Sequence, residues 1–223
     1  MHIDVAQIFI AFLVLVFSLT VHETAHAWAA DRLGDPTARL LGRVSLNPAV
    51  HVDPVGTLLF PLVGLATGAP IIGWAKPVPV ATWRFERPRR DYLMVAVAGP
   101  LSNLCLAFVA ALACRAFPDA VRQAAEVPGS VLLSVSQTRV LVPLARLASG
   151  ALQINLLLAV FNMLPIPPLD GSSVLAGVLP ERFAAMVDRL RPYGFVLLYA
   201  LLLTGGFSRV VGTPYHYLLS WLQ

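Results

Sequence analysis

Residues Ser18–Asp35 read SLTVHETAHAWAADRLGD. They close an apolar run that opens with VAQIFIAFLVLVF at Val5. From Val5 to Ala30 this stretch would form a helix of about 39 Å at 1.5 Å per residue. That is enough to cross about 30 Å of hydrocarbon with some tilt. His22, Glu23 and His26 fall together inside it. Positions i and i+4 of a helix differ by about 40°, so both imidazoles face one way and can reach a single zinc ion. Glu23 lies one step round, where a carboxylate can take a proton from a water on that metal. An acid at the centre of a membrane helix costs at least about 2.5–3.5 kcal/mol. No Lys or Arg lies inside the span, so a bound cation is the compensation these residues call for.

The rest of the composition agrees with a membrane setting. Of 223 residues, 57% are hydrophobic and only 13% charged, and the mean hydropathy is +0.74. Soluble domains run near 45–50% apolar and about 25% charged. The expected architecture is an all-α polytopic bundle of about four to six transmembrane segments, forming one integral membrane domain over residues 1–223. The net charge of +4 sits mostly in loops and at segment ends, which reads as topology signal and not as a nucleic-acid surface. The N-terminal MHID lacks a basic leader and the chemical motif lies within the segment, so no cleaved signal peptide is expected. Cys105 and Cys114 fall on opposite faces of one apolar segment and are expected to be small core residues.

Along the chain, Ala38–Thr57 has the wrong texture for a span and reads as one or two short strands. Arg43, Ser45 and Asn47 alternate with Val44 and Leu46, which predicts a short membrane-associated β element. Leu58–Trp74 is apolar but broken by Pro61, Gly64, Gly68 and Pro70. Tyr92–Cys114 and Val140–Ile166 are clear spans, 115–138 reads as a loop, an amphipathic helix follows Asp170, and Gly194–Gly206 is a shorter span. Positive-inside places the basic loop Lys76–Arg90 in the cytoplasm.

A catalytic zinc site has three protein ligands and an open position. The third candidate lies in FNMLPIPPLDGSSVL, Phe161–Leu175. Three prolines there stop the helix, and Asp170 stands at their end. Its spacing fits equally a metal ligand and a cap for the helix that follows.

HETAH in the first span, AGPLSN (Ala98–Asn103) in a later one and NMLPIPPLDG (Asn162–Gly171) together resemble the site-2 protease family of intramembrane zinc metalloproteases, specifically a compact prokaryotic branch. The three motifs bracket about two thirds of the chain. The resemblance implies one Zn2+ per chain held by His22, His26 and Asp170, Glu23 as catalytic base, and Asn162 as a group that orients substrate or steadies the oxyanion. It also implies a transmembrane protein or peptide as substrate, a cell-membrane location and an active site near the cytoplasmic side. If both ends of Ala38–Trp74 are then cytoplasmic, Leu58–Trp74 must be a re-entrant segment. Val44, His51, Asp53 and Asn103 are candidate substrate contacts. For His51 and Asp53 turn chemistry beside Pro54 is the competing reading, and for Asn103 a helix–helix hydrogen bond. The rival function is a membrane metal transporter or metal-binding bundle. That rival should place liganding groups on several spans along a pathway, which the other spans do not offer.

Overall fold

The computed structural model describes residues 5–59, 74–126 and 138–222. The described residues are helical, with no strand among them. Helix α1 (Val5–Arg32), α2 (Thr37–Leu40), α3 (Pro88–Ala116), α4 (Pro118–Glu126), α5 (Thr138–Asn162), α6 (Asp170–Val178), α7 (Glu181–Leu190), α8 (Gly194–Leu203) and α9 (Thr213–Leu222) follow in order. Three of them, α1, α3 and α5, are long and apolar enough to cross a membrane. A fourth candidate is the pair Glu181–Leu203 and Ser208–Leu222, bent by 84°. The chain is therefore a multi-pass bundle, and the described residues supply three or four of the four to six spans expected. Helix α8 alone has 10 residues, about 15 Å at 1.5 Å each, too short for the separate crossing expected of Gly194–Gly206.

Small residues bring the spans together. Ala107, Ala110 and Ala111 of α3 are buried against Leu152 and Leu156 of α5, the close approach that membrane helices use in place of a hydrophobic drive. Ala29 and Ala30 of α1 pack with Val95 of α3 and with Phe85. The outer faces stay apolar and uncovered: Phe9, Phe12 and Phe17 on α1 and Leu101, Phe108 and Val109 on α3 are exposed. In water that would be a liability; in a bilayer it is the lipid contact.

Three expectations need correction. Val44–Leu46 is a bend that follows the turn at Leu41–Gly42, not a strand. Arg43 points inward and its guanidinium donates to the carbonyls of Val50 (2.6 Å), Pro77 (3.3 Å) and Lys76. The alternation that predicted a strand thus marks one buried clamp in a coiled loop. The loop at 115–138 contains helix α4, whose Ala120 and Ala124 pack against Val142 and Ala145 of α5. Cys105 is exposed on the outer face of α3 and is no core residue.

Most of Leu58–Trp74 lies outside the described residues, but its two ends do not. Thr57 Oγ1 donates to Trp74 O (2.9 Å), Trp74 N–H to Gly56 O (3.3 Å), and Lys76 N–H to His51 O (2.8 Å). The chain therefore leaves and returns at one place. The turn after α1 is pinned in a similar way. Asp35 accepts from Thr37 N–H (3.1 Å), from the Thr37 hydroxyl (2.5 Å) and from Ala81 N–H (2.6 Å).

Candidate metal centre

On α1 the i, i+4 spacing does what the sequence predicts. His22 and His26 are buried on one face, with their Nε2 atoms 3.1 Å apart and their rings nearly perpendicular. Asp170, the first residue of α6, closes the group: Oδ2 lies 3.1 Å from His22 Nε2 and Oδ1 3.4 Å from His26 Nε2. The three ligand atoms all fall within 4.8 Å of one another. No other group of three such residues comes together among the described residues.

The protons of this cluster decide what it can hold. His26 Nδ1 lies 2.7 Å from Val95 O, a pure acceptor, so Nδ1 carries the hydrogen. His22 Nδ1 lies 2.6 Å from Asn103 Oδ1 and does the same. In neutral rings both Nε2 atoms are then bare lone pairs. Asp170 Oδ2 is buried with no hydrogen-bond partner, although His22 Nε2 is at ion-pair distance. The two observations agree once the His22 proton is placed on Nδ1. Two imidazole lone pairs and a carboxylate that face each other out of solvent repel unless a cation lies between them. Two nitrogens and one oxygen form a donor set that suits zinc.

The backbone around the cluster leaves no slack. A Cβ on Gly99 of α3 would sit 2.4 Å from His26 Nε2 and 2.7 Å from His22 Cε1, so the glycine of AGPLSN is a steric requirement of the imidazole pair. A Cβ on Gly171 would sit 2.2 Å from Met163 O and 2.4 Å from Leu164 O. The glycine after Asp170 thus lets α6 start directly against the chain leaving α5.

The remaining candidates separate. Glu23 is half-buried and within electrostatic reach of His26. Asn162 closes α5, with Nδ2 donating to Leu158 O at 2.9 Å. Asn103 is fully buried. Besides His22 it bonds Asn155 Oδ1 (2.8 Å) and Ser18 O (3.4 Å), so it joins three helices and presents nothing to a substrate. His51 is also buried, with Nε2–H donating to Ser45 O at 2.8 Å, and does not join the cluster. Asp53 Oδ1 accepts from Val55 N–H (2.9 Å) and Gly56 N–H (2.7 Å), the turn chemistry weighed for it above. Val44 is half-buried in the bend. Asn155 belongs to the centre and was not singled out from sequence. Its only signal was an amide in the otherwise apolar run INLLLAV.

The sequence model of Peptidase family M50 matches residues 10–204. YwhC of Bacillus subtilis (strain 168) is 36% identical over 197 residues, covering 85% of this chain and 78% of the relative. Rip2 of Mycolicibacterium smegmatis is 30% identical over 194 residues, covering 87% of this chain and 66% of the relative. MJ0611 of Methanocaldococcus jannaschii is 38% identical over 92 residues, 39% of this chain and 37% of that one. The names of all three describe zinc metalloproteases. No solved structure matches the chain significantly. With most of its length covered by the family model, the chain belongs to peptidase family M50, the site-2 protease family.

Proposed function

We propose that this protein is an intramembrane zinc metalloprotease that hydrolyses peptide bonds within or next to the transmembrane segments of membrane-tethered proteins. The observation that carries the reading is the convergence of three possible metal ligands, His22, His26 and Asp170, inside a multi-pass bundle. A bound zinc would supply a polarised water and a polarised scissile carbonyl. The chain's own groups do the rest. His22, His26 and Asp170 hold the ion, so Asp170 is a ligand as well as the opening residue of α6. Glu23 takes the proton of the attacking water and returns it to the leaving amine. The Asn162 amide, at the mouth of α5, donates to the oxyanion.

The metal transporter is the weaker reading, because the described residues offer one such group and no second along a path. Glu23→Gln separates the two. Zinc content should stay at one per chain, while cleavage of a reconstituted transmembrane substrate falls by about 10²–10⁴. Metal flux unaffected by Glu23→Gln, with no cleavage by the wild type, would overturn the protease reading.

Residues 1–223 form one membrane domain in this reading, placed in the cell membrane with Lys76–Arg90 and the HETAH end of α1 on the cytoplasmic side. The bonds between His51–Thr57 and Trp74–Lys76 support the re-entrant assignment of Leu58–Trp74, since a segment whose two ends touch cannot cross once. Counted from Asp31 at 1.5 Å per residue, His26 lies about 8 Å and His22 about 14 Å along the helix. The zinc would then lie just inside the cytoplasmic boundary, in reach of water. Single cysteines at Leu40, Trp83 and Gln123, all exposed positions, test this in a background without Cys105 and Cys114. With an impermeant thiol reagent only position 123 should label from outside. Labelling of 83 but not 40 would make Leu58–Trp74 a true span. An extended substrate lying beside Val44 is the remaining suggestion for the 43–46 bend. Cleavage that survives Val44→Pro would remove it.

A further inference from the structure

Asn155 sits on α5, four helices on from the histidines of α1 in sequence order, yet the hydrogen bonds lead from it to His22 in one direction only. Asn155 Nδ2 donates to Ala151 O at 2.8 Å. That fixes the amide, because the reverse orientation would set oxygen against oxygen. Asn155 Oδ1 must then be an acceptor, and it receives Asn103 Nδ2 at 2.8 Å. Asn103 Oδ1 is thereby turned to His22 and can only accept, at 2.6 Å from Nδ1. His22, Asn103 and Asn155 are all buried, at 4%, 0% and 1% exposure, so no water competes for these groups. Without Asn155, Asn103 Nδ2 is left with one long bond to Ser18 O (3.4 Å). Its amide could then invert, putting an N–H donor against His22 Nδ1. That would move the ring proton to Nε2, the atom that should face the metal.

We infer that Asn155 is a positioning residue for metal binding: through Asn103 it holds His22 in the tautomer whose Nε2 is a free ligand. The inference rests on the metal-centre reading above and names the residue that polarises it. Groups one bond beyond a zinc ligand typically change metal affinity by about 10–100-fold when removed.

The test is zinc affinity by chelator competition on the purified full chain, with thermal unfolding of the metal-free protein measured beside it. Asn155→Leu, similar in volume and apolar, should weaken zinc binding by about 10–100-fold. Asn155→Asp should stay close to wild type, because it presents an oxygen to Asn103 in either protonation state. A purely structural role would lower the unfolding midpoint of the metal-free protein in N155L and weaken zinc no further than that. Wild-type affinity in N155L overturns the inference. So does an equal loss of zinc in N155D and N155L. If N155L does not fold, Asn103→Asp decides: a carboxylate can only accept from His22 Nδ1–H and needs no help from Asn155, so zinc must be retained, and its loss overturns the inference. Failure of the wild-type chain itself to bind zinc would overturn the metal-centre reading and this one with it.

Discussion

Two groups of buried polar residues lie close together in this molecule, and they are satisfied in opposite ways. In the bundle, His22, His26, Asn103, Asn155 and Asp170 meet one another side chain to side chain. In the loops beside it, Asp35, Arg43, His51 and Asp53 spend themselves on backbone N–H and C=O groups. The second group is tied mainly to backbone, with Arg43 Nε and His51 Nδ1 left over. The first ends in two imidazole nitrogens and a carboxylate that face one another. A buried polar residue that ties down backbone is fixing a loop; buried polar residues that aim acceptors at one another imply a missing cation. In the proposed reading function lies with the first group, although both groups contain histidine and aspartate.

The largest effects should come from breaking the first group. Asp170→Ala leaves two imidazoles, one ligand short, and both zinc and cleavage should be lost; full zinc occupancy in this variant would remove Asp170 from the site. Gly99→Ala should do the same without touching a polar atom, since its methyl would meet His26 Nε2 at 2.4 Å. Metal analysis of the purified variant, together with its unfolding profile, tells this from misfolding. Next in size, Asn162→Ala should keep zinc and slow cleavage by about 10²–10³, measured at saturating substrate.

Variants of the second group should move stability and leave zinc in place. Arg43→Met removes a charged donor from the carbonyls of Val50, Lys76 and Pro77 and should cost about 3 kcal/mol, read as a lower unfolding midpoint at unchanged zinc content. Zinc loss in step with the midpoint would erase the distinction between the two groups. The smallest effect concerns Asp35. Burial alone would raise its carboxyl pKa. The Thr37 hydroxyl, the N–H groups of Ala81 and Thr37, and the Arg84 guanidinium at 3.9 Å outweigh burial and hold it below the usual value. A depressed folded pKa gives stability that is complete above the unfolded value, about 3.9, and fades as pH falls through the folded one. Asp35→Asn should therefore lose about 1 kcal/mol near neutrality and flatten the acid limb of the stability curve below about pH 4. An unchanged acid limb would show that Asp35 is not its source.

The sequence carried the spans and the metal pair because both depend on local spacing. Apolar runs long enough for a bilayer and H-E-x-x-H on one of them survive any tertiary arrangement. Asp170 was legible as a candidate ligand only through the PPLDG resemblance, since its spacing in the sequence fits a cap as well; in the structure Leu169 is the N-cap and no side chain caps α6. What failed depended on partners distant in sequence. Arg43 alternates with its neighbours as a strand residue would, but its partners are carbonyls at positions 50, 76 and 77. Asn103 read as a lone amide because its partner Asn155 is on another helix, and Asn155 itself is hidden among leucines. The helix within 115–138 was missed because Pro118 follows directly on the end of α3 and the segment is too polar to resemble the spans.

Asp170 reaches the histidines from a helix that packs on α3 and α7 and makes no comparable packing with α1. In the proposed reading a bound ion would be a stitch in a seam. It would sew the first part of the chain to the last third at one point, with no comparable packing between α1 and α6 beside it. A peptide reaching the metal along that boundary would then have little helix packing to part, and the stitch would keep the two helices in register.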